Sequence, residues 1–93
     1  MTNMTESNQT PYDHVVCTEF DGGEGILVDL NTKKYYQLNP TALLIWKGLE
    51  KGQSVNDIVT EVVAGYAVAP DHARRSVETL MSRLRSYKLI NSL

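Results

Sequence analysis

Ile26-Leu27-Val28-Asp29-Leu30-Asn31-Thr32-Lys33-Lys34-Tyr35-Tyr36-Gln37-Leu38-Asn39-Pro40-Thr41 changes its hydropathic period once, and the place of the change decides the fold. Up to Leu38 the period is two. Ile26, Val28 and Leu30 alternate with Leu27 and Asp29, Asn31-Thr32 marks a turn, and Tyr35 and Tyr36 are good strand formers in the run that follows. In that run Tyr36 and Leu38 fall on one face, and Lys33, Tyr35 and Gln37 on the other. At Asn39 the period becomes helical. Asparagine suits an N-cap, and Pro40 suits the first helical position, where its missing N–H leaves no bond unmade.

Upstream, Val15, Val16, Cys17 and Phe20 lead into Asp21-Gly22-Gly23, a hairpin signal, so three short strands form an antiparallel meander over about 14–38. Downstream, Ala42, Leu43, Leu44, Ile45, Trp46 and Leu49 make the first helix, near 40–50, apolar almost all round, so it should be the central buried element with Trp46 in the core. Ser54 and Asp57 resemble a capping box. Val55, Ile58, Val59, Val62 and Val63 then give a second helix, near 55–64, one clean apolar face, and Gly65 is its expected C-cap. Pro70 opens a third helix, near 71–87, whose apolar stripe is Ala73, Val77, Leu80, Met81, Leu84 and Tyr87; Leu89 and Ile90 close the core. The order predicts one α+β domain: a three-stranded antiparallel sheet packed on a three-helix bundle. It is expected to span residues 13–93, after a polar, disordered tail over 1–12.

Composition narrows the function. The chain has 93 residues and 42% apolar content, enough for one core. No window approaches the ~18 consecutive apolar residues of a membrane helix, and the polar N-terminus does not read as a signal peptide. With a single cysteine, Cys17, a cytoplasmic location without membrane partners is expected. Net charge is −2, which gives no general attraction to nucleic acid. The charge is nonetheless uneven: the six ionised side chains before Lys33 are all acidic, whereas Arg74, Arg75, Arg83, Arg85 and Lys88 cluster in the third helix and its end.

No catalytic or metal constellation is legible, and no cofactor is expected. His14 and His72 have no ligand-spaced partners, Cys17 lies in an apolar strand as an inert thiol, and Gly22-Gly23-Glu24-Gly25 lacks the lysine and helix of a phosphate loop. Two surfaces remain. The last strand, Lys33 to Leu38, is an edge of the meander, and an edge offers N–H and C=O groups to an incoming peptide. The third helix is basic.

The stretch Val28 to Asn39, followed by Pro40-Thr41-Ala42 and Ile45-Trp46, resembles the PqqD-like family, the recognition elements of ribosomally made, modified peptides. It carries the family's "DxxTxxYYxLN" pattern. Ser54-Val55-Asn56-Asp57-Ile58, Tyr66-Ala67-Val68 and the closing leucines from Leu80 to Leu89-Ile90 agree, so the resemblance covers roughly 15–91. The "YYQLNPT" form is similar to free-standing members that serve lasso-peptide maturation. The chain departs from the family at Lys34, where many members carry glycine in the turn region.

The resemblance implies a winged helix-turn-helix type fold and a non-catalytic function: binding a precursor's leader peptide by strand addition beside the third strand, and delivering it to a maturation enzyme such as a leader peptidase, a cyclase or a radical enzyme. On this reading the peptide-binding residues are Lys33, Lys34, Tyr35, Tyr36, Gln37 and Leu38 on the strand, with Arg74, Arg75, Val77 and Met81 on the third helix. The arginines and lysines would favour an acidic leader. Whether the exposed edge also joins two copies into a homodimer is left open. The competing reading is a DNA-binding helix-turn-helix formed by the second and third helices, with Arg74 and Arg75 near the start of a recognition helix. The net charge and the acidic strands stand against it.

Overall fold

The computed structural model describes residues 11–91. Strands β1 (Val15–Glu19), β2 (Gly25–Asp29) and β3 (Lys34–Leu38) precede helices α1 (Pro40–Glu50), α2 (Val55–Tyr66) and α3 (Pro70–Ser86). The sheet order is β1-β2-β3, antiparallel throughout, so β3 is an edge strand. Leu27 pairs with Cys17 on one side and Tyr36 on the other.

That register fixes which phase of the alternation is buried. Gly25, Leu27 and Asp29 face the helices, while Ile26 and Val28 stand on the outer face, half-buried. The apolar outer phase is the less obvious half of the pattern. Asp29 sits inward because its carboxylate closes the β2–β3 turn, accepting the N–H groups of Asn31 at 2.9 Å and Thr32 at 3.2 Å. Thr32 Oγ1 in turn accepts the Lys34 N–H at 3.3 Å. This is the physical content of the "DxxT" pattern: side chains supply the turn's acceptors. The residue forced into the left-handed region is Lys33, with φ 67°, one position before the lysine singled out in the sequence. Lys33 therefore belongs to the turn, and the strand begins at Lys34.

The helices bury what their stripes demand. Asn39 Oδ1 accepts the Ala42 N–H at 2.8 Å and Ser54 Oγ accepts that of Asp57 at 3.1 Å, so both expected N-caps form. The core gathers Leu27, Leu43, Ile45, Trp46, Ile58 and Val62 with Val77, Met81, Leu84, Leu89 and Ile90. Trp46 is fully buried at its centre. Gly48 lies where α1 meets α2: a Cβ there would come within 2.7 Å of Ile58 Cγ1. The second helix runs on past Gly65, and its C-cap is Ala67, in the left-handed region with φ 53° and its N–H on Val63 O. The two extra residues end the helix on Tyr66, which is exposed and lines a cleft with α3.

At the N-terminal side, Pro11 bridges to Ile90 and the Tyr12 N–H donates to Leu89 O at 3.2 Å, while the Tyr12 ring stacks on His14. Residues 11 and 12, grouped with the tail from sequence, are thus tied to the end of the core; residues 1–10 of that tail lie outside the described residues. Among the described residues no helix is long and apolar enough to cross a membrane.

Candidate functional site

The free side of β3 is defined by its hydrogen-bond phase. Leu30 N donates to His14 O and Phe20 N to Glu24 O, each at 2.8 Å, so the even-numbered residues of β2 bond towards β1. Its odd-numbered residues then bond towards β3, where Lys34, Tyr36 and Leu38 are their partners. Tyr35 and Gln37 are left with backbone N–H and C=O groups directed at the open edge. Asn39-Pro40 ties the end of this strand directly to α1.

Beside the edge lies a cleft of about 380 Å³ between the end of β3, α1, the end of α2 and α3. Its floor is aliphatic: Leu38, Ile45, Val62, Ala73 and Leu80. Its rim is polar: Gln37, Asn39, His72, Ser76 and Arg83. The positions on α3 follow helical spacing, with His72, Ser76, Thr79 or Leu80, and Arg83 along one face. Among the described residues, Arg83 has no carboxylate within ion-pair distance. Midway along β3, the Tyr36 ring stacks on Tyr87, the C-cap of α3, with centroids 4.7 Å apart. An extended segment lying along β3 would meet backbone groups at Tyr35 and Gln37 and would place every second side chain over the aliphatic floor.

The structure brings together some of the sequence-selected residues and separates others. Tyr35, 73% exposed, and Gln37 lie on the outer face of β3; Tyr36 and Leu38 face the helices. Lys33 and Lys34 stand at the turn that starts the strand. Val77 and Met81 are 0% and 3% exposed and belong to the core, not the cleft wall. Arg74 donates to Asn56 Oδ1 on α2, and neither Arg74 nor Arg75 lines the cleft. Val77 and Met81 lie one helical step beyond the groove-lining Ser76 and Leu80, and Arg75 lies one step before Ser76 on the other flank. On the α3 face that does border the groove, His72 and Ser76 were hidden in the sequence because they looked like ordinary surface. Ala73 and Leu80 carried a signal as part of the apolar stripe, and Arg83 as part of the basic cluster.

The titratable groups outside the cleft have structural explanations. Asp29 is 3% exposed. Burial, the largest single influence, would raise its carboxyl, but hydrogen bonds from Thr32 and Asn31, together with nearby His14, outweigh it and hold Asp29 below the usual carboxylate range. His14 Nε2 lies 3.9 Å from Asp29 Oδ1, so this histidine is half-buried and flanks the turn residue. Cys17 is partly buried on the inner face of β1; burial pushes its thiol up, and Glu50 and Glu19 add to the effect. It is poorly suited to be a nucleophile. Among the described residues no cluster of His, Cys, Asp or Glu could hold a metal ion.

A free edge strand beside an aliphatic cleft, on a three-stranded sheet backed by three helices, defines a class of small α+β domain. The chain belongs to the PqqD family: the family described as coenzyme PQQ synthesis protein D matches residues 24–90. Two solved structures share its fold. "TbiB1 in Complex with the TbiA(beta) Leader Peptide" is 27% identical with a TM-score of 0.83, covering 90% of this chain and 96% of that one. "Lasso peptide synthetase B1 complexed with the leader peptide" is 26% identical with a TM-score of 0.82, covering 92% and 100%. No curated protein matches the sequence.

Proposed function

We infer that this chain is a non-catalytic recognition module that binds the leader segment of a ribosomally synthesised precursor peptide and presents it to a maturation enzyme, such as a leader peptidase. The leader adds as a strand to β3, with alternate side chains entering the cleft against α3. The observation that carries this reading is the free edge at Tyr35 and Gln37 directly beside the cleft, in a fold shared with two solved leader-peptide complexes. Backbone pairing supplies affinity with little sequence demand, and the cleft supplies selectivity. The leader loses its disorder on docking, so moderate affinity is expected.

The DNA-binding alternative draws no support from the relatives. It is also disfavoured by the net charge of −2 and by Arg74 being engaged with Asn56.

Amide hydrogen exchange tests the proposal with peptides enriched on the protein from a displayed random library. Peptide addition should protect the N–H groups of Tyr35 and Gln37. Protection confined to α2 and α3 would refute strand addition.

A further inference from the structure

A second depression, of about 320 Å³, lies on the outer face of the sheet at the β1–β2 hairpin. Phe20, Glu24 and Ile26 line it together with Gln37, Leu38 and Asn39. Those last three residues also line the cleft on the helix side. The end of β3 is therefore flanked by a pocket on each face. In a strand paired with β3, the residue opposite Gln37 points its side chain to the outer face, and its neighbours in sequence point towards the helices.

The two pockets differ in chemistry. The helix-side cleft has an aliphatic floor and the Arg83 guanidinium on its rim. The outer pocket has an exposed aromatic ring, Phe20 at 48% exposure, beside the carboxylate-bearing Glu24. Among the described residues, Glu24 has no cation within ion-pair distance, unlike Glu19, which is engaged by Lys47 Nζ at 3.0 Å. A carboxylate next to an open phenyl face suits a long cationic side chain, whose methylenes lie on Ile26 and Phe20 while its head meets Glu24.

Resting on the strand-addition reading, the geometry points to a second subsite on the outer face, formed by Phe20, Glu24, Ile26 and Gln37, that takes an arginine or lysine of the bound peptide immediately adjacent in sequence to the apolar residue held in the cleft. Two neighbouring residues are thus read on opposite faces of the extended sheet. The required dipeptide, one apolar and one basic residue, gives selectivity that backbone pairing alone lacks.

The test is selection from a displayed random peptide library on the wild type and on Glu24→Lys, an exposed turn substitution, with Phe20→Ala as a second variant. Wild-type selections should carry a basic residue next to the apolar anchor. Glu24→Lys should keep the anchor, lose the basic preference and bind the wild-type peptides about three- to ten-fold more weakly at low salt. Phe20→Ala should weaken the same peptides while leaving peptides without the basic residue unaffected. Enriched peptides that protect Tyr35 and Gln37 amides but show no basic neighbour, or a basic preference that Glu24→Lys leaves unchanged, would overturn the subsite while strand addition stands. Failure to enrich any peptide that protects β3 would overturn both.

Discussion

At the scale of single residues, Trp46 and Asp29 show how one polar group changes the arithmetic of burial. Trp46 fills the centre of the core, yet among the described residues its Nε1 has no hydrogen-bond partner. A buried donor left unpaired costs about 1–3 kcal/mol, which offsets part of what the ring contributes. Trp46→Ala should therefore destabilise by about 3–5 kcal/mol through the cavity it leaves. Trp46→Phe, which removes the orphan N–H and less volume, should cost clearly less; urea denaturation of both variants measures the difference. Asp29 works in the opposite direction, because its buried carboxylate is supplied with donors. Its carboxyl is held below the usual range, so the folded state binds its proton more weakly than the unfolded chain does. The stability it adds is complete above the ordinary carboxylate range and is lost as pH falls through the lowered folded value. Asp29→Asn should melt at a lower temperature at neutral pH and show a shallower decline in acid. Equal acid sensitivity in melts of the two proteins would assign the stabilisation elsewhere.

At the scale of elements, the ends of helices and strands carry the unexpected geometry. Helix α2 ends on Ala67 in the left-handed region, where a side chain costs roughly 1–2 kcal/mol and glycine costs little. Ala67→Gly should stabilise the domain by about 0.5–1 kcal/mol after the added freedom of the unfolded chain is counted. That should raise Tm by about 2–8 °C in a scanning calorimeter. Strand β3 makes a different kind of prediction, because its residues alternate between bonding to β2 and facing outward. Gln37→Pro removes an outward N–H and should keep the fold while impairing binding of library-selected peptides. Tyr36→Pro removes a bond to β2 and the ring stacked on Tyr87, so its main effect should be on stability. Circular dichroism and calorimetry on the pair separate the two effects. Equal loss of binding from two equally folded variants would contradict the assigned phase.

At the scale of the whole molecule, charge is segregated and only part of it borders the cleft. Arg83 is on the rim, whereas Arg74 is turned to Asn56 and Arg75 lies outside the groove. For an acidic peptide, Arg83→Glu should weaken binding by about 0.2–1 kcal/mol at low salt. Arg74→Glu and Arg75→Glu should act only through the longer-range field, with an effect that fades near physiological ionic strength, where screening sets in at roughly 8 Å. Calorimetry at two salt concentrations checks this. Equal, salt-resistant losses from all three changes would mean that the peptide also contacts the start of α3.

The sequence by itself determined the class and order of the elements, the edge position of the last strand, the caps at Asn39 and Ser54, and the burial of Trp46. Each of these depends on local periodicity or on residues within a turn of one another, so no distant contact is needed to read it. The same logic made the "DxxT" turn legible as a motif, although its reason, a carboxylate accepting two backbone N–H groups, shows only in the folded chain. What only the tertiary structure decided was rotation and register. A stripe on α3 specifies a buried face but not its borders, so Val77 and Met81 were indistinguishable in sequence from groove residues, and the packing of α3 against α1 and α2 placed them in the core. The cleft at Leu38, Ile45, Val62 and Leu80 joins four elements separated along the chain, and the outer pocket joins the hairpin at Phe20 and Glu24 to the far end of β3. Neither juxtaposition leaves a local signal, because both arise from where the sheet meets the helices and from which residues the register sets side by side.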